Sequence, residues 1–143
     1  MFTCSKTYRD IPLGHRQPFH GGHCSFIHGH NWSIKLSFAA EKPDNNGFIV
    51  DFGKLRYIKE WIDDNLDHAC AFSAKDPHRN KIEELAELGL IKPLFIDNAS
   101  CEGLAKHIFE TFDPMVRHNT DSRAWLVSLE LEEDSKNSVT YAP

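Results

Sequence analysis

Histidines are concentrated in the first quarter of the chain. An even spread of the nine histidines would place about one of them between residues 15 and 30, yet five lie there: His15, His20, His23, His28 and His30. Imidazole nitrogens are common ligands of zinc and other transition metals. This density favours a metal site over scattered surface histidines, although a histidine-rich loop without a catalytic purpose would produce the same pattern.

The sequence His-Gly-His at residues 28–30 has the spacing of alternate residues in a β-strand. Alternate strand residues project from the same face, roughly 7 Å apart at the backbone, so both rings can bind one ion. A zinc ion that takes part in catalysis usually has three protein ligands and one open position. We expect the third ligand to come from the same region, with His15 as the first candidate and His20 and His23 as alternatives.

A cysteine near this motif is a candidate base. Cys24 lies four residues before His28, and a neighbouring cation would favour its thiolate, the form that acts as a base or nucleophile. The alternative is that Cys24 is a small buried apolar residue, as a free cysteine usually is. We assign that second interpretation to Cys4, Cys70 and Cys101.

The pair Asp67-His68 follows a predicted helix and could donate a proton. A helix C-terminus favours a protonated imidazole, and an adjacent carboxylate can orient the ring. A polar helix end without a chemical role would look the same in the sequence.

Alternation of apolar and polar residues predicts the strands that position these groups. The pattern indicates a strand over residues 28–38, a partner strand beginning at 48–50 after the Asn-Asn-Gly turn at 45–47, a strand over 125–132 and a short closing strand at 139–141. The residues from 70 to 80 are polar and mixed, and we interpret them as a loop-rich connection.

Apolar residues spaced by three or four predict two amphipathic helices. The first covers residues 52–66 with Asp51 as its N-cap, and the second begins near Asn98 or Ser100, either of which can cap it, and ends before Pro114. A third, short helix is possible over residues 82–88, ended by a glycine. This order of elements suggests an antiparallel sheet with two helices on one face.

Composition limits the class of protein. The 143 residues are 41% hydrophobic, and 16 basic and 21 acidic side chains give a formal net charge of −5. The length fits one domain, residues 1–143, that buries a core without disulfides. The charge argues against binding along a nucleic-acid backbone, and no stretch approaches the roughly 18 apolar residues of a membrane span. Four cysteines without a CxxC pair, and an opening segment without a signal-peptide pattern, predict a cytoplasmic protein with free thiols.

Several of these features occur together in one known family. The segments HGHNW, VDFGKL and LDH, the Cys-x-x-x-His-x-His spacing and a late glutamate resemble the family of 6-pyruvoyl-tetrahydropterin synthase and 6-carboxy-tetrahydropterin synthase. The resemblance covers nearly the whole chain, from Phe2 to Tyr141. It implies an α+β T-fold, with two helices packed on one face of an antiparallel four-stranded sheet. It also implies a homo-oligomer with active sites at the subunit interfaces.

The resemblance further implies a role for each candidate residue. By position, the zinc ligands are His15, His28 and His30, the proton-transfer residues are Cys24, Asp67 and His68, and the residue that anchors the pterin ring is Glu133. The glutamate is distinguished from Glu130 and Glu132 because it lies eight residues before Tyr141.

The substrate implied by the resemblance is 7,8-dihydroneopterin triphosphate. The spacing between Cys24 and His28 favours the queuosine-pathway branch, a zinc-dependent lyase that forms 6-carboxy-5,6,7,8-tetrahydropterin with release of triphosphate and acetaldehyde. The alternatives are the pyruvoyl branch, which only eliminates triphosphate, and a zinc-binding structural module without activity. Candidates for holding the triphosphate are Arg16, Lys54, Arg56 and Arg79. Any link to RNA would be metabolic, through the product.

Overall fold

The computed structural model describes all residues from Met1 to Pro143. In chain order the elements are β1 (Phe2–His15), β2 (His28–Ala40), α1 (Arg56–Asn65), β3 (Ala69–Ser73), α2 (Arg79–Glu87), β4 (Pro93–Ile96), α3 (Cys101–Asn119), β5 (Ala124–Glu132) and β6 (Ser138–Tyr141). Short 3₁₀ helices at His23–Ser25 and Phe52–Lys54 precede β2 and α1. No helix combines the length and the apolar character needed to cross a lipid bilayer.

All six strands form one sheet in the order β4-β3-β1-β2-β5-β6. The four strands β1, β2, β5 and β6 pair antiparallel, and β3 and β4 extend this part with parallel pairing. The expected sheet of four antiparallel strands was therefore wrong in number and in direction at one edge. Every residue of β3 is buried, so the strand has no alternation that the sequence could reveal, and it lies in the segment predicted to be a loop.

The three helices cover both faces of the sheet. α1 and α3 bury Ile58, Ile62, Leu104 and Ile108 in the main core, which also contains the inward-facing residues of β2. α2 packs on the opposite side of β3, where Ile82 belongs to a small second cluster. Two helices on one face were expected, and α1 and α3 occupy that face. The third helix, α2, covers the other face of the sheet at its parallel edge.

A β-bulge in β1 determines which side chains face α1 and α3. Between Tyr8 and Ile11, β1 advances by three residues while β2 advances by two, and Asp10 takes a φ of 58°. After the bulge the buried residues are odd-numbered, namely Ile11, Leu13 and His15. Because a single inserted residue reverses the alternation, the bulge turns His15 toward the helix-covered face. It also explains why β1 was not predicted from periodicity.

The predicted strand at residues 48–50 is absent. The carboxylate of Asp44 accepts hydrogen bonds from the backbone N–H groups of Asn46 and Phe48, and the Arg123 guanidinium donates to the carbonyls of Phe48 and Ile49. These contacts use backbone groups that a second strand would need, so the segment forms a loop.

Two helix boundaries also differ from the prediction. Asp51 caps the 3₁₀ helix, where its carboxylate accepts from the Gly53 N–H, and α1 begins only at Arg56. α3 begins after Ser100, which caps it as expected, but it continues through Pro114 to Asn119. A proline inside a helix removes one hydrogen bond, and burial of residues such as Val116 beyond it favours continuation.

Candidate active site

The three predicted histidine ligands meet at one end of the sheet. His15 is the last residue of β1 and pairs directly with His28, the first residue of β2, while His30 pairs with Leu13. The ring centroids lie 4.6 Å apart for His15 and His28, 5.3 Å for His15 and His30, and 5.0 Å for His28 and His30. The bulge in β1 and the alternation in β2 thus bring all three rings to the same face.

Backbone carbonyls fix the orientation of two of these rings. His15 Nδ1 lies 2.8 Å from the Ala99 carbonyl oxygen, and His28 Nδ1 lies 2.7 Å from the Phe26 carbonyl oxygen. A ring that donates from Nδ1 presents an unprotonated Nε2, which is the form that binds a metal. Ala99 and Phe26 were missed in the sequence because a backbone carbonyl gives no signal of its own.

His15 is the most buried of the three rings, with only 4% of its surface exposed. Burial lowers the pKa of His15 below its ordinary value, because a charged imidazolium loses its hydration there. Trp32 packs edge-on against His15, with the ring centroids 5.1 Å apart, and its indole N–H donates to the Leu13 carbonyl. Burial therefore favours the neutral form of His15, and the contacts with Ala99 and Trp32 fix the orientation of its ring.

Glu133 joins this cluster from the end of β5. Its Oε1 atom lies 3.2 Å from Nε2 of both His15 and His30, and the ligand atoms of the three histidines and Glu133 all lie within 4.8 Å of one another. The family resemblance implied that Glu133 anchors a pterin ring, and the proximity of Glu133 to the imidazoles was not predicted.

These residues fit a divalent metal ion. The Nε2 atoms of His15 and His30 are buried and make no hydrogen bond of acceptable geometry, although a carboxylate oxygen lies close to both. Buried polar atoms without partners are rare in folded proteins. Imidazole nitrogens and carboxylate oxygens are both ligands that zinc binds, and the ligand atoms of these four residues all lie within 4.8 Å of one another.

Cys24 lies beside this cluster. It is in the 3₁₀ turn His23–Ser25, it is exposed, and it lines an open cavity of about 470 Å³ together with His23, Phe26 and His28. The Gln17 N–H donates to the Cys24 carbonyl over 2.7 Å, which ties the turn to the chain just after His15. Cys24 is therefore exposed at a cavity that His28, one of the three clustered histidines, also lines.

The other three cysteines are more enclosed. Burial raises the pKa of Cys70 to about 11 and that of Cys101 to about 12, and it also raises the pKa of Cys4. Thiols of this kind stay protonated near neutral pH and are poor bases. This agrees with the apolar role predicted for all three, whereas Cys24 is exposed.

Asp67 and His68 form the predicted pair. His68 Nδ1 lies 2.7 Å from Asp67 Oδ1, His68 has a left-handed backbone with φ of 59°, and its ring is mostly exposed. Asp67 lines a different cavity, of about 540 Å³, between β1 and α1. Within one chain, the structure therefore brings this pair together but does not place it in the cavity that Cys24 lines.

Three of the four candidate residues for the triphosphate already have acidic partners. Arg16 lies 3.0 Å from the fully buried carboxylate of Asp76, Arg56 contacts Glu60, and Arg79 contacts Glu83. Lys54 forms no ion pair in the structure. The contact between Arg16 and Asp76 anchors the residue that follows His15, which favours a positioning role for this arginine.

The first turn of α3 packs tightly on the segment that carries the Ala99 carbonyl. A Cβ atom added at Gly103 would lie 2.0 Å from the Asn98 carbonyl oxygen, a contact that forces the backbone to move. We therefore expect Gly103→Ala to lower the free energy of unfolding by about 1–3 kcal/mol, the usual cost of overpacking, although alanine is normally the better helix former. Urea denaturation measures this change.

The matched control is Gly21→Ala, because a Cβ at Gly21 would meet no atom within 4 Å. This variant should unfold like the original protein. A Gly103→Ala protein that is as stable as the control would show that the Asn98–Ala99 segment is free to move, contrary to the packing described above.

The chain is similar to known proteins in sequence and in fold. Residues 3–143 match the family described as 6-pyruvoyl tetrahydropterin synthase. The chain is 30% identical over 135 residues to the 6-carboxy-5,6,7,8-tetrahydropterin synthase of Rickettsia typhi, covering 93% of this chain and 94% of that protein. The fold is similar to an uncharacterised protein from Wolinella succinogenes (TM-score 0.84, 17% identity, 99% and 97% of the two chains) and to 6-pyruvoyl tetrahydropterin synthase from Caenorhabditis elegans (TM-score 0.68, 19% identity, 99% and 95%). This chain belongs to the 6-pyruvoyl tetrahydropterin synthase family.

Proposed function

We propose that this protein is a zinc-dependent lyase that converts 7,8-dihydroneopterin triphosphate to 6-carboxy-5,6,7,8-tetrahydropterin, with release of triphosphate and acetaldehyde. The observation that carries the proposal is the convergence of His15, His28 and His30, with two buried Nε2 atoms that lack hydrogen-bond partners. The relative from Rickettsia typhi bears the name of this synthase, and the four-residue spacing between Cys24 and His28 favours the same branch.

The three imidazoles would hold zinc in this proposal. Bound zinc supplies a Lewis acid that stabilises negative charge on the side-chain oxygens of the substrate. Trp32 and the carbonyls of Ala99 and Phe26 keep the rings oriented, and burial lowers the pKa of His15, which favours the neutral ring that can bind a metal.

Cys24 would remove a proton from the carbon next to a substrate hydroxyl. Its accessible thiol borders the cavity that also contains His28, and a positioned base of this kind contributes about 10²–10⁴ to the rate. His68, oriented by Asp67, would relay or return the proton. Glu133 would accept two hydrogen bonds from the amino group and ring N–H of the pterin, a bidentate contact that fixes the ring.

The position of Asp67 suggests how the site is completed. Because Asp67 lines a cavity different from the one that Cys24 lines, we propose that Cys24 of one subunit works with Asp67 and His68 of another in a homo-oligomer. The four free thiols fit a reducing compartment, the cytoplasm, and the product fits the queuosine pathway.

One incubation separates the candidate functions. We expect zinc-loaded protein to convert 7,8-dihydroneopterin triphosphate with equal amounts of triphosphate and acetaldehyde, each measured by a coupled assay. Triphosphate without acetaldehyde would assign the pyruvoyl branch. If protein that binds zinc released neither product, the remaining candidate would be a zinc-binding structural module without activity.

A further inference from the structure

The carboxylate of Glu133 is directed at the imidazoles. Its Oε1 atom is 3.2 Å from Nε2 of His15 and 3.2 Å from Nε2 of His30, and its side chain is only 23% exposed. No hydrogen bond to this carboxylate is formed in the structure. The contact with the imidazoles is thus the only polar contact that accounts for its position.

The orientation of the rings, rather than the distances, distinguishes a ligand arrangement from a hydrogen-bonded pair, because 3.2 Å fits both. Zinc binds imidazole nitrogen at about 2.0–2.1 Å and carboxylate oxygen at about 2.0–2.2 Å in a tetrahedron, so neighbouring ligand atoms lie about 3.3–3.5 Å apart. The two 3.2 Å distances are close to this separation. In a hydrogen-bonded pair the ring N–H would point at the oxygen, whereas neither Nε2 atom makes such a bond.

We propose that Glu133 is the fourth metal ligand of the free protein and that the pterin ring removes it. In the absence of substrate Glu133 closes the site formed by His15, His28 and His30. When the amino and N–H edge of a pterin binds the carboxylate, Glu133 leaves the imidazoles and opens the position for the side chain of the substrate. This inference rests on the metal site and pterin specificity of the proposed function.

The local structure allows this movement. Glu133 directly follows β5, and its backbone N–H donates to the Asn137 carbonyl over 3.0 Å. Asp134 stabilises the same turn, because its carboxylate accepts from the backbone N–H groups of Lys136 and Asn137. These hydrogen bonds hold the backbone of the turn, so in this proposal the carboxylate moves by rotation of the Glu133 side chain.

The proposed movement of Glu133 changes the net charge of the metal site. Three neutral imidazoles leave a divalent cation with its full charge, and the Glu133 carboxylate reduces the net charge of the site by one. Glu133 would thus limit reactions of the open site with solvent or other anions until a pterin ring is present. In this proposal Glu133 binds either the metal or the pterin ring. Bound metal must therefore weaken the binding of pterin, and bound pterin must weaken the binding of the metal to the same extent.

Zinc affinity of two variants tests the first half of the proposal. We expect Glu133→Gln to bind zinc at least about tenfold more weakly in a chelator competition, since loss even of indirect partners of metal ligands costs about 10–100-fold. Glu132→Gln is the matched control, because Glu132 lies on the opposite face of the sheet beside Ser33 and Lys35; its zinc affinity should be unchanged. Circular dichroism checks that both variants fold.

Binding of unsubstituted pterin tests the second half, because this ring lacks the side-chain oxygens that could themselves bind the metal. We expect pterin to bind the zinc-loaded protein severalfold more weakly than the metal-free protein. In Co²⁺-loaded protein, pterin should shift the visible absorption toward the spectrum of Co²⁺-loaded Glu133→Gln.

Two results would overturn the inference while leaving the proposed lyase intact. They are a Glu133→Gln protein that binds zinc as tightly as the original, and a pterin affinity that does not depend on zinc. Failure of the original protein to bind zinc would instead reject the metal site itself, and the proposed function with it.

Discussion

His15→Ala should lower the affinity for zinc by about 10²–10³-fold and abolish measurable turnover. Structural zinc sites with four ligands bind with about 10–16 kcal/mol, so one ligand accounts for about 2.5–4 kcal/mol, which corresponds to this loss at 1.4 kcal/mol per factor of ten. His15 is the buried member of the cluster and is oriented by the Ala99 carbonyl. Zinc content after dialysis and chelator competition measure the effect.

His20→Ala and His23→Ala are the matched controls, since both residues are alternatives that the sequence leaves open. Both side chains are exposed, His20 Nδ1 accepts a hydrogen bond from the Gly22 N–H, and neither residue belongs to the converging cluster. Zinc affinity should stay at the original level in both. If His20→Ala or His23→Ala lost zinc while His15→Ala retained it, the assignment of the third ligand would be wrong.

Cys24→Ala should reduce turnover by about 10²–10⁴-fold, the contribution of a positioned base, while zinc content and stability change little. The side chain is exposed, and exposed substitutions usually alter the free energy of unfolding by less than about 0.5 kcal/mol. The comparison is kcat for 7,8-dihydroneopterin triphosphate against the zinc content of the same preparation. A variant that loses activity but keeps its metal separates proton transfer from metal binding.

Cys4→Ala provides the control for loss of a thiol. Cys4 packs against the main core near the start of β1, and burial raises its pKa, so its removal should leave turnover unchanged. Full activity of Cys24→Ala would contradict the assignment of the base and would favour His68 or a metal-bound group in that role.

Some features of the candidate site could be predicted from the sequence because their signals are local. The pair His28 and His30 needs only the two-residue period of a strand, and Asp67 and His68 are adjacent in the chain and bond to each other. The helix cap at Ser100 and the strand β5 also follow from neighbouring residues. In each case the residues that define the feature lie within one element or one turn.

The features that were not predicted from the sequence depend on contacts between distant segments. β3 is buried on both faces and shows no alternation, and its parallel pairing with the end of β1 joins residues more than fifty positions apart. α3 passes Pro114 because the core on both sides of the proline holds it. The pattern of neighbouring residues in the sequence predicts neither feature.

The sequence by itself determined which residue types are available for the chemistry: five clustered histidines, one thiol beside them, an Asp-His pair and a late glutamate. The sequence favoured His15 as the third histidine and left His20 and His23 as alternatives, and only the tertiary structure brings the His15 ring to the cluster, because the bulge in β1 turns it toward His28 and His30. The tertiary structure alone brought Glu133 to within 3.2 Å of two imidazoles. Strand register and the bulge set the direction of each side chain through pairing with other strands. Because this pairing joins segments that are distant in the chain, the sequence alone does not reveal it.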